Sequence, residues 1–281
     1  MGGKIIFEFE SGGKKTVIGY PDYSILDYDG LESTDYELVT EENINYHGSR
    51  KKRTRILSRE IMVKFAYLGQ NKESERQRLI SFFSTLRTGT LKMLYQEEER
   101  CIEYEVSSFK YDSRALFEPL MGTLYVECMD PDLLSVLTLG QQIMTLVGGW
   151  KWKFTLPFKM KQYGQLRKNI YVAGEMKTPV EIYFRGPAVN PVVTNHRTGE
   201  YIKVTKTLTS DDTLYINTAF RQKTVEIITG DVRQDAWDFL DFSSRFFWLQ
   251  PGDNMLEYSG DSEPEKSRGV EIYYRERYLG I

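Results

Sequence analysis

The chain has 281 residues, of which 41% are hydrophobic and 27% are charged, and its formal net charge is −3. This length accommodates two domains or one large β domain, and the composition excludes a wholly disordered chain. The small net charge gives no bulk attraction to nucleic acid or to an anionic membrane, so we predict neither nucleic-acid specificity nor membrane insertion.

The N-terminal segment, MGGKIIFEFE, has no apolar core followed by a cleavage site, which a secretory signal requires. Ile6 stands where a myristoylation signal has Ser or Thr. Residues 133–150 lean apolar but are too short and too polar to span a bilayer. We therefore expect a protein made in a cytoplasm. Cys101 and Cys128 each lie in an alternating run, which predicts two reduced thiols, with a disulfide between neighbouring strands as the alternative.

The first half of the chain predicts an antiparallel β domain with one packed helix. Residues 4–9 form a short strand that ends at Gly12 and Gly13. The polar stretch 19–59 predicts a long loop or arm, with strand character only near residues 36–39. Alternating apolar residues predict further strands near 60–68, 91–95, 101–109 and 120–128.

The predicted helix covers about residues 74–87. Its apolar residues Leu79, Phe82, Phe83 and Leu86 follow the spacing i, i+3, i+4, i+7, which places them on one face. Residues 71–74 offer an N-cap, and Gly89 is predicted to end the helix.

The segment Asp130-Pro131-Asp132 marks a break, and we place the two domains at residues 1–138 and 139–281. The second domain predicts a β-sandwich, because short strands recur about every ten residues with turn residues between them. A short helix is predicted from Asp235 to Leu240, and Pro251 with Gly252 predicts a type II turn. The predicted strands lie near 151–158, 169–173, 180–185, 190–195, 200–208, 213–217, 223–228, 246–249, 254–258 and 270–278.

The sequence contains few candidate catalytic residues. His47 and His196 are the only histidines, so no metal-ligand cluster of useful spacing exists, and no nucleotide-binding or nucleophile motif occurs. We predict no metal and no cofactor. Two carboxylates flanking a cleft could serve a glycosidase, but three of the five candidates recur every third residue and predict a solvated helix face. The five candidates are Glu181, Glu226, Asp235, Asp238 and Asp241.

Two further groups are candidates for binding. A basic cluster can contact an acidic protein face or phosphate, but such a cluster is more often a solvated loop or a strand edge protected by charge. Its members are Arg50, Lys51, Lys52, Arg53 and Arg55. Trp150 and Trp152 either pack in the core or stack on sugar rings.

Several segments, taken in chain order, are similar to a known family. In the first half they are the Asp29-Gly30 loop, REIMVKFAYLG, ESERQRLISFFSTL and residues 100–109. In the second half they are Phe184-Arg185-Gly186, Asn190-Pro191, VTN, Thr198-Gly199-Glu200, DTLYI, FFWLQPGDN and IYYRERY. With these segments the chain resembles, over nearly its whole length, the distal tail proteins of long-tailed (siphovirus-type) bacteriophages. Asn217 stands where that family often has Asp, at a position that is structural in either case.

The resemblance implies a mainly β protein with a ring-forming N-terminal domain and a galectin-like C-terminal sandwich. It implies a homohexameric hub at the distal end of the virion tail, which joins the tail tube and tape-measure protein to the tail-tip and receptor-binding proteins. The implied role is structural and not enzymatic. The alternatives are a carbohydrate-binding adhesion module that contacts host cell-wall sugar, or a β-sandwich glycoside hydrolase.

Overall fold

The structure is a computed structural model, and it describes residues 5–42, 47–84, 88–111, 119–143, 166–261 and 269–281. The chain divides into two compact units. Unit 1 comprises residues 1–136 together with 277–281, and unit 2 comprises residues 137–276. The chain therefore starts in unit 1, forms unit 2, and returns to unit 1.

Within the described ranges one α-helix, α1 (Lys72–Phe82), accompanies a series of short strands. The first ten strands are β1 (Ile5–Ser11), β2 (Lys14–Ile18), β3 (Tyr23–Asp29), β4 (Tyr36–Glu42), β5 (Ser49–Ile56), β6 (Arg59–Tyr67), β7 (Thr88–Tyr95), β8 (Glu98–Tyr111), β9 (Leu120–Cys128) and β10 (Leu133–Ser135). The next seven are β11 (Leu139–Ile143), β12 (Arg167–Val172), β13 (Val180–Arg185), β14 (Ala188–Val189), β15 (Val192–Asn195), β16 (Glu200–Lys203) and β17 (Thr207–Leu208). The last six are β18 (Asp212–Asn217), β19 (Thr224–Thr229), β20 (Val232–Asp235), β21 (Gly252–Ser259), β22 (Val270–Tyr274) and β23 (Arg277–Tyr278).

Unit 1 is built on one antiparallel sheet in the order β2-β1-β7-β8-β9-β6-β3, to which β10 and β23 are added. Alternation along each strand gives the sheet one apolar face, and Phe7, Phe9 and Phe65 are fully buried on it. Helix α1 packs Leu79 and Phe82 into the same core. The predicted mainly β fold with one packed helix is confirmed.

Helix α1 is shorter than the predicted 74–87. It begins at Lys72 after Asn71, and the Phe83 N–H donates to the Leu79 carbonyl at its end, 2.8 Å away. Gly89, predicted to end the helix, lies instead within β7, where a Cβ would come 2.2 Å from the Glu10 carbonyl oxygen. This glycine is needed for the close approach of two strands. Leu86 lies outside the described residues.

The predicted loop over residues 19–59 is largely strand. It contains β3, an edge strand of the main sheet, and the hairpin β4–β5, which forms a two-stranded sheet of its own. We call this hairpin the arm. Nearly every residue of the arm is exposed on both faces, so the sequence showed strand character only near residues 36–39, and β5 carries no apolar alternation from which a strand could have been recognised.

Unit 2 is the predicted β-sandwich. A six-stranded sheet, β11-β22-β13-β18-β19-β20, and a four-stranded sheet, β12-β21-β15-β16, enclose one apolar core. Its largest fully buried side chains include Phe184 and Phe247. The predicted strand at 151–158, with Trp150 and Trp152, lies outside the described residues.

Gly252 at the predicted turn has φ +84°, the left-handed conformation that glycine tolerates. The buried side chain of Asn254 stabilises this turn: its Nδ2 donates to the Gln250 carbonyl at 2.7 Å and to the Gly252 carbonyl at 2.9 Å. Its Oδ1 accepts from the Gln250 N–H at 2.9 Å. One buried amide thus satisfies three polar backbone groups of the turn.

Two predictions near the end of unit 2 need correction. The short helix predicted from Asp235 to Leu240 is a 3₁₀ helix of only three residues, Trp237–Phe239, and Asp235 belongs to strand β20 before it. Residues 246–249 do not form a strand; Leu249 makes an isolated bridge to Thr178. Both segments carry aromatic residues, whose strand and helix signals are ambiguous over such short runs.

The single strand predicted at 270–278 is divided in two. β22 lies in the six-stranded sheet, whereas β23 pairs with β10 in the sheet of unit 1. Residues 277–281 therefore group with unit 1, although the sequence analysis assigned them to the sandwich. Arg277 forms ion pairs with Asp132 at 2.8 Å and with Asp130 at 2.5 Å. Both ion pairs lie within unit 1.

Candidate assembly interface

The arm is a two-stranded structure with almost no buried surface. Tyr36 and Leu38 on β4 are 62% and 50% exposed, and all of β5 except its last residue is exposed. A two-stranded hairpin in water is at best marginally stable, because it buries too little apolar surface to offset chain ordering. The arm is therefore suited to packing against another surface.

The predicted basic cluster lies on this arm. Arg50, Lys51, Lys52, Arg53 and Arg55 all lie on β5, not in a loop. Cross-strand register places Arg55 opposite Glu37 and Arg50 opposite Glu41, and Lys52 forms a 3.1 Å ion pair with Glu41. β5 carries five basic residues and β4 carries three glutamates, Glu37, Glu41 and Glu42, so the two strands of the arm together keep a net positive charge.

Strand β3 supplies a complementary edge. It pairs with β6 on one side only, and its free edge is irregular, because the register shifts between Ile25 and Asp27. Asp27 and Asp29 on this strand, and Asp22 just before it, are exposed carboxylates. Sheet edges present unpaired backbone donors and acceptors and accept a further strand readily.

A groove of about 470 Å³ runs beside this edge. Ile5 and Ile6 of β1 line one side, and residues 23–28 of β3 line the other. The pairing of β1 with β2 ends at the Phe7–Ile18 pair, so Ile5 and Ile6 have no partner residue on β2. Exposed apolar side chains occupy its rim: Tyr20, Leu26 and Leu68. The groove thus combines apolar walls with strand edges, as a site for an extended segment requires.

A polar network fixes the β3 side of the groove to the helix. The Tyr23 hydroxyl donates to Glu75, and Arg78 donates to Glu75 at 2.5 Å, to the Tyr23 oxygen at 3.1 Å and to Thr16 Oγ1 at 3.1 Å. Burial, and then the hydrogen bond to Glu75, raises the pKa of the Tyr23 hydroxyl well above its ordinary value. Burial of Glu75 opposes ionisation, but hydrogen bonds from Arg78 and Tyr23 outweigh it and lower the pKa of this carboxyl. The groove wall is therefore held by residues of β2, β3 and α1.

Behind the arm, Arg59 joins distant parts of unit 1. Its side chain is buried and donates to four backbone carbonyls, those of Pro131 (2.8 Å), Gly30 (2.7 Å), Glu32 (3.2 Å) and Leu279. The Ile281 N–H donates to the Leu31 carbonyl beside them. We call these contacts the Arg59 clasp. Burial lowers the pKa of the guanidinium, against the opposing effect of the negative charges of Asp132 and Glu32.

Four of the five acids considered for catalysis have polar partners in the structure. Glu226 forms a 3.1 Å ion pair with Arg233, and Glu181 accepts a hydrogen bond from the Tyr183 hydroxyl at 3.3 Å. Asp235 and Asp241 accept hydrogen bonds from backbone N–H groups two residues later, at 3.0 and 2.8 Å. The solvated helix face predicted for Asp235, Asp238 and Asp241 is wrong, because Asp235 ends strand β20, Asp238 lies in the 3₁₀ helix and Asp241 follows that helix.

The described residues include no group of three or more His, Cys, Asp or Glu side chains arranged to hold a metal ion. Cys101 and Cys128 are both buried, and neither forms a disulfide. Burial raises the pKa of the Cys128 thiol to about 12. None of the helices in the part of the chain that the structure describes has the length and apolar character of a membrane span.

The fold is shared over its full length with solved phage tail proteins. The crystal structure of the SPP1 Dit protein, a hub of the adsorption apparatus in phages that infect Gram-positive bacteria, superposes with a TM-score of 0.68 at 14% identity, covering 97% of this chain and 99% of that chain. A chain of the phage P2 baseplate in its activated conformation with Ca gives 0.57 at 12%, covering 98% of both chains. The same baseplate with Sr gives 0.56 at 12%, covering 96% and 97%.

Residues 173–278 match the family model described as the siphovirus-type tail component, C-terminal domain. The comparison with curated proteins returned no match. Most of unit 2 therefore matches the C-terminal domain of siphovirus-type tail components, and the resemblance predicted from the sequence is confirmed.

Proposed function

We propose that this protein is a structural, non-enzymatic hub at the distal end of a siphovirus-type phage tail. In this role six copies close into a ring that links the tail tube and tape-measure protein to the tail-tip and receptor-binding proteins. The family match of residues 173–278 and the full-length likeness to tail hub and baseplate chains support the tail location. The arm supports ring formation, since it is a strand pair exposed on both faces.

The ring contact we propose places the arm of one copy on the β3 edge of the next. Such pairing would supply strand partners to the free edges of both elements and cover the apolar rim of the groove. The charges match as well, because β5 is basic and the β3 edge carries Asp22, Asp27 and Asp29. A head-to-tail contact of this kind uses two different patches, as a closed ring requires.

Charge reversal on the arm tests this contact. Mass photometry of the full chain at micromolar concentration should show a species six times the 32.8 kDa chain mass. The double substitution Arg53→Glu/Arg55→Glu should shift the population to monomer, because it places negative charge against the acidic β3 edge. Combining it with Asp22→Lys/Asp27→Lys should restore the ring.

The matched control is Arg221→Glu/Lys223→Glu, which reverses two exposed cations in unit 2 and should leave the ring intact. A wild-type chain that stays monomeric at every concentration, without rings in negative-stain images, contradicts the proposal. An arm variant that assembles like the wild type contradicts the specific contact and leaves another ring surface to be sought.

A further inference from the structure

The outer face of the six-stranded sheet of unit 2 carries a patch of tyrosine rings beside a carboxylate. β13 alternates between buried apolar residues and partly exposed ones, and among the latter Glu181 and Tyr183 face outward. Strand register places Tyr183 opposite Tyr215 of β18, and Glu181 lies opposite Tyr273 of β22. The Tyr183 ring centre is 4.9 Å from that of Tyr215 and 5.5 Å from that of Tyr273. We call these four residues the tyrosine patch.

The rings of the tyrosine patch are not needed to fill the core of the sandwich. The other face of the same strands supplies that core, where Ile182, Phe184 and Ile216 are fully buried. The tyrosines lie on the opposite side and stay partly exposed. Tyrosine is enriched where proteins meet, because it combines a large apolar ring with one polar end. The composition of the patch is therefore that of a protein-contacting surface.

An arginine of the chain itself shows how this sheet face holds a guanidinium group. The guanidinium carbon of Arg185 lies 5.7 Å from the centre of the Tyr183 ring, and its Nη2 is 3.0 Å from Glu271. Its Nη1 donates to the Thr213 hydroxyl at 3.2 Å. Tyr183 and Glu271 are directly opposite each other on neighbouring strands. A cross-strand pair of tyrosine and glutamate thus holds an arginine by a cation–π contact and an ion pair.

A second pair of the same kind, Glu181 with Tyr273, lies beside the first on the same two strands. Within the residues that the structure describes, Glu181 forms no ion pair, and it accepts a hydrogen bond from the Tyr183 hydroxyl at 3.3 Å. Burial and then the charge of Glu181 raise the pKa of Tyr183 to about 12, and the same two causes raise the pKa of Tyr215. Glu181 therefore faces the rings around it and keeps acceptor positions for a cation.

The shape of the tyrosine patch selects a planar cation. A guanidinium group carries five N–H donors in one plane, so it donates to both oxygens of a carboxylate while its face lies on an aromatic ring. An ammonium group is a strongly hydrated point charge and gains less from such a surface. Quaternary ammonium groups are held by rings that surround them, whereas these rings pack against one another at 43° and 90° across a sheet. The patch thus fits the side chain of arginine.

We propose that the tyrosine patch docks a protein partner through an arginine side chain of that partner, which donates to Glu181 and lies against the neighbouring rings. The contact repeats the arrangement of Arg185 on Tyr183 and Glu271. It rests on the proposed hub function and deepens it, because it names the chemistry of one contact between the hub and a partner protein. The patch lies in unit 2 and its test needs no ring assembly, so the two proposals can fail separately.

Three peptides that differ in one residue type test the proposal. The first repeats Gly-Ser-Arg, and the other two have lysine or the neutral arginine analogue citrulline in place of arginine. Surface plasmon resonance on the immobilised full chain should show binding of the arginine peptide, weaker binding of the lysine peptide and none of the citrulline peptide. Glu181→Gln should weaken binding of the arginine peptide by about tenfold, because a charged hydrogen bond is lost. Tyr273→Leu should weaken it by about threefold, because a cation–π contact is lost.

The other sheet of unit 2 supplies matched controls. Glu257→Gln and Tyr171→Leu make the same two changes at partly exposed or exposed positions of β21 and β12, and both variants should bind the arginine peptide like the wild type. Tyr273→Phe keeps the ring and should also bind like the wild type, which separates loss of the ring from a disturbed fold.

Four outcomes overturn the proposal. The arginine peptide fails to bind, or the lysine or citrulline peptide binds as tightly. Choline, a quaternary ammonium probe, displaces the arginine peptide. The control variants on the other sheet lose as much affinity as Glu181→Gln. Tyr273→Phe loses as much affinity as Tyr273→Leu.

Discussion

Four arginines lie within residues 50–59, and they differ in solvent exposure: one is buried and three are exposed. Arg59 is 3% exposed and donates to four backbone carbonyls, whereas Arg50, Arg53 and Arg55 are exposed on the arm. The buried guanidinium contributes to the stability of the unit because its four hydrogen bonds to carbonyls replace bonds to water. The exposed ones are screened by solvent and contribute little to stability, so they remain available for a partner. The same residue type is thus structural in one place and an interface candidate in the other.

The largest effect that this comparison predicts is at the clasp. Arg59→Ala should destabilise unit 1 by about 3–5 kcal/mol, because it leaves buried carbonyls without donors. Hydrogen exchange followed by mass spectrometry on the full chain is the measurement, since it reports on each unit separately. Faster exchange should appear in β10 and in residues 277–281.

Arg59→Lys is the matched variant for the clasp. An ammonium keeps the charge but lacks the planar fork, so it should recover only part of the lost protection. If Arg59→Ala exchanged like the wild type in these segments, the clasp would not be what holds residues 277–281 to unit 1.

A smaller loss of stability is expected at the turn of unit 2, where the buried side chain of Asn254 donates to backbone carbonyls. Gly252→Val should destabilise unit 2 by about 1–3 kcal/mol, because a β-branched residue is forced to positive φ. A Cβ at this position would meet only Arg197 Nη1, at 3.7 Å, so strain and not collision is the cause. Thermal unfolding monitored by hydrogen exchange in β21 measures the change.

Ser259→Val is the control for the turn. It introduces the same side chain at an exposed position of the same strand, in extended backbone, and should leave stability nearly unchanged. Equal destabilisation by the two substitutions would show that the turn conformation is not the source of the effect.

Where strands have one buried face, the sequence was sufficient to place them. Strands β9 and β13 have the predicted bounds, 120–128 and 180–185, because their apolar residues alternate. The turn at Gly252 was also predictable, since a Pro-Gly pair has a local conformational meaning. The resemblance to tail proteins rested on such segments, and the family match of residues 173–278 supports it.

The arm and the clasp could not be predicted in this way. The arm is exposed on both faces, and only the opposite charges at paired positions, such as Glu37 with Arg55, could have indicated a hairpin. The carbonyls that Arg59 contacts lie up to 220 residues away in sequence and belong to residues of any type. On the outer face of the six-stranded sheet, Glu181, Tyr215 and Tyr273 likewise become a cluster only through strand register.

The smallest effect on stability is expected on the arm. A substitution there distinguishes an interface arginine from a structural arginine such as Arg59 most directly. Arg53→Ala should change the unfolding free energy of the monomer by less than about 0.5 kcal/mol, since surface substitutions away from packed features rarely do more. The same substitution should weaken ring formation, because in the proposed ring Arg53 faces carboxylates of the next copy. Chemical denaturation at a concentration below assembly, together with mass photometry above it, measures both quantities in one variant. A large loss of monomer stability would mean that the arm packs within its own chain, and an unchanged ring would remove Arg53 from the interface.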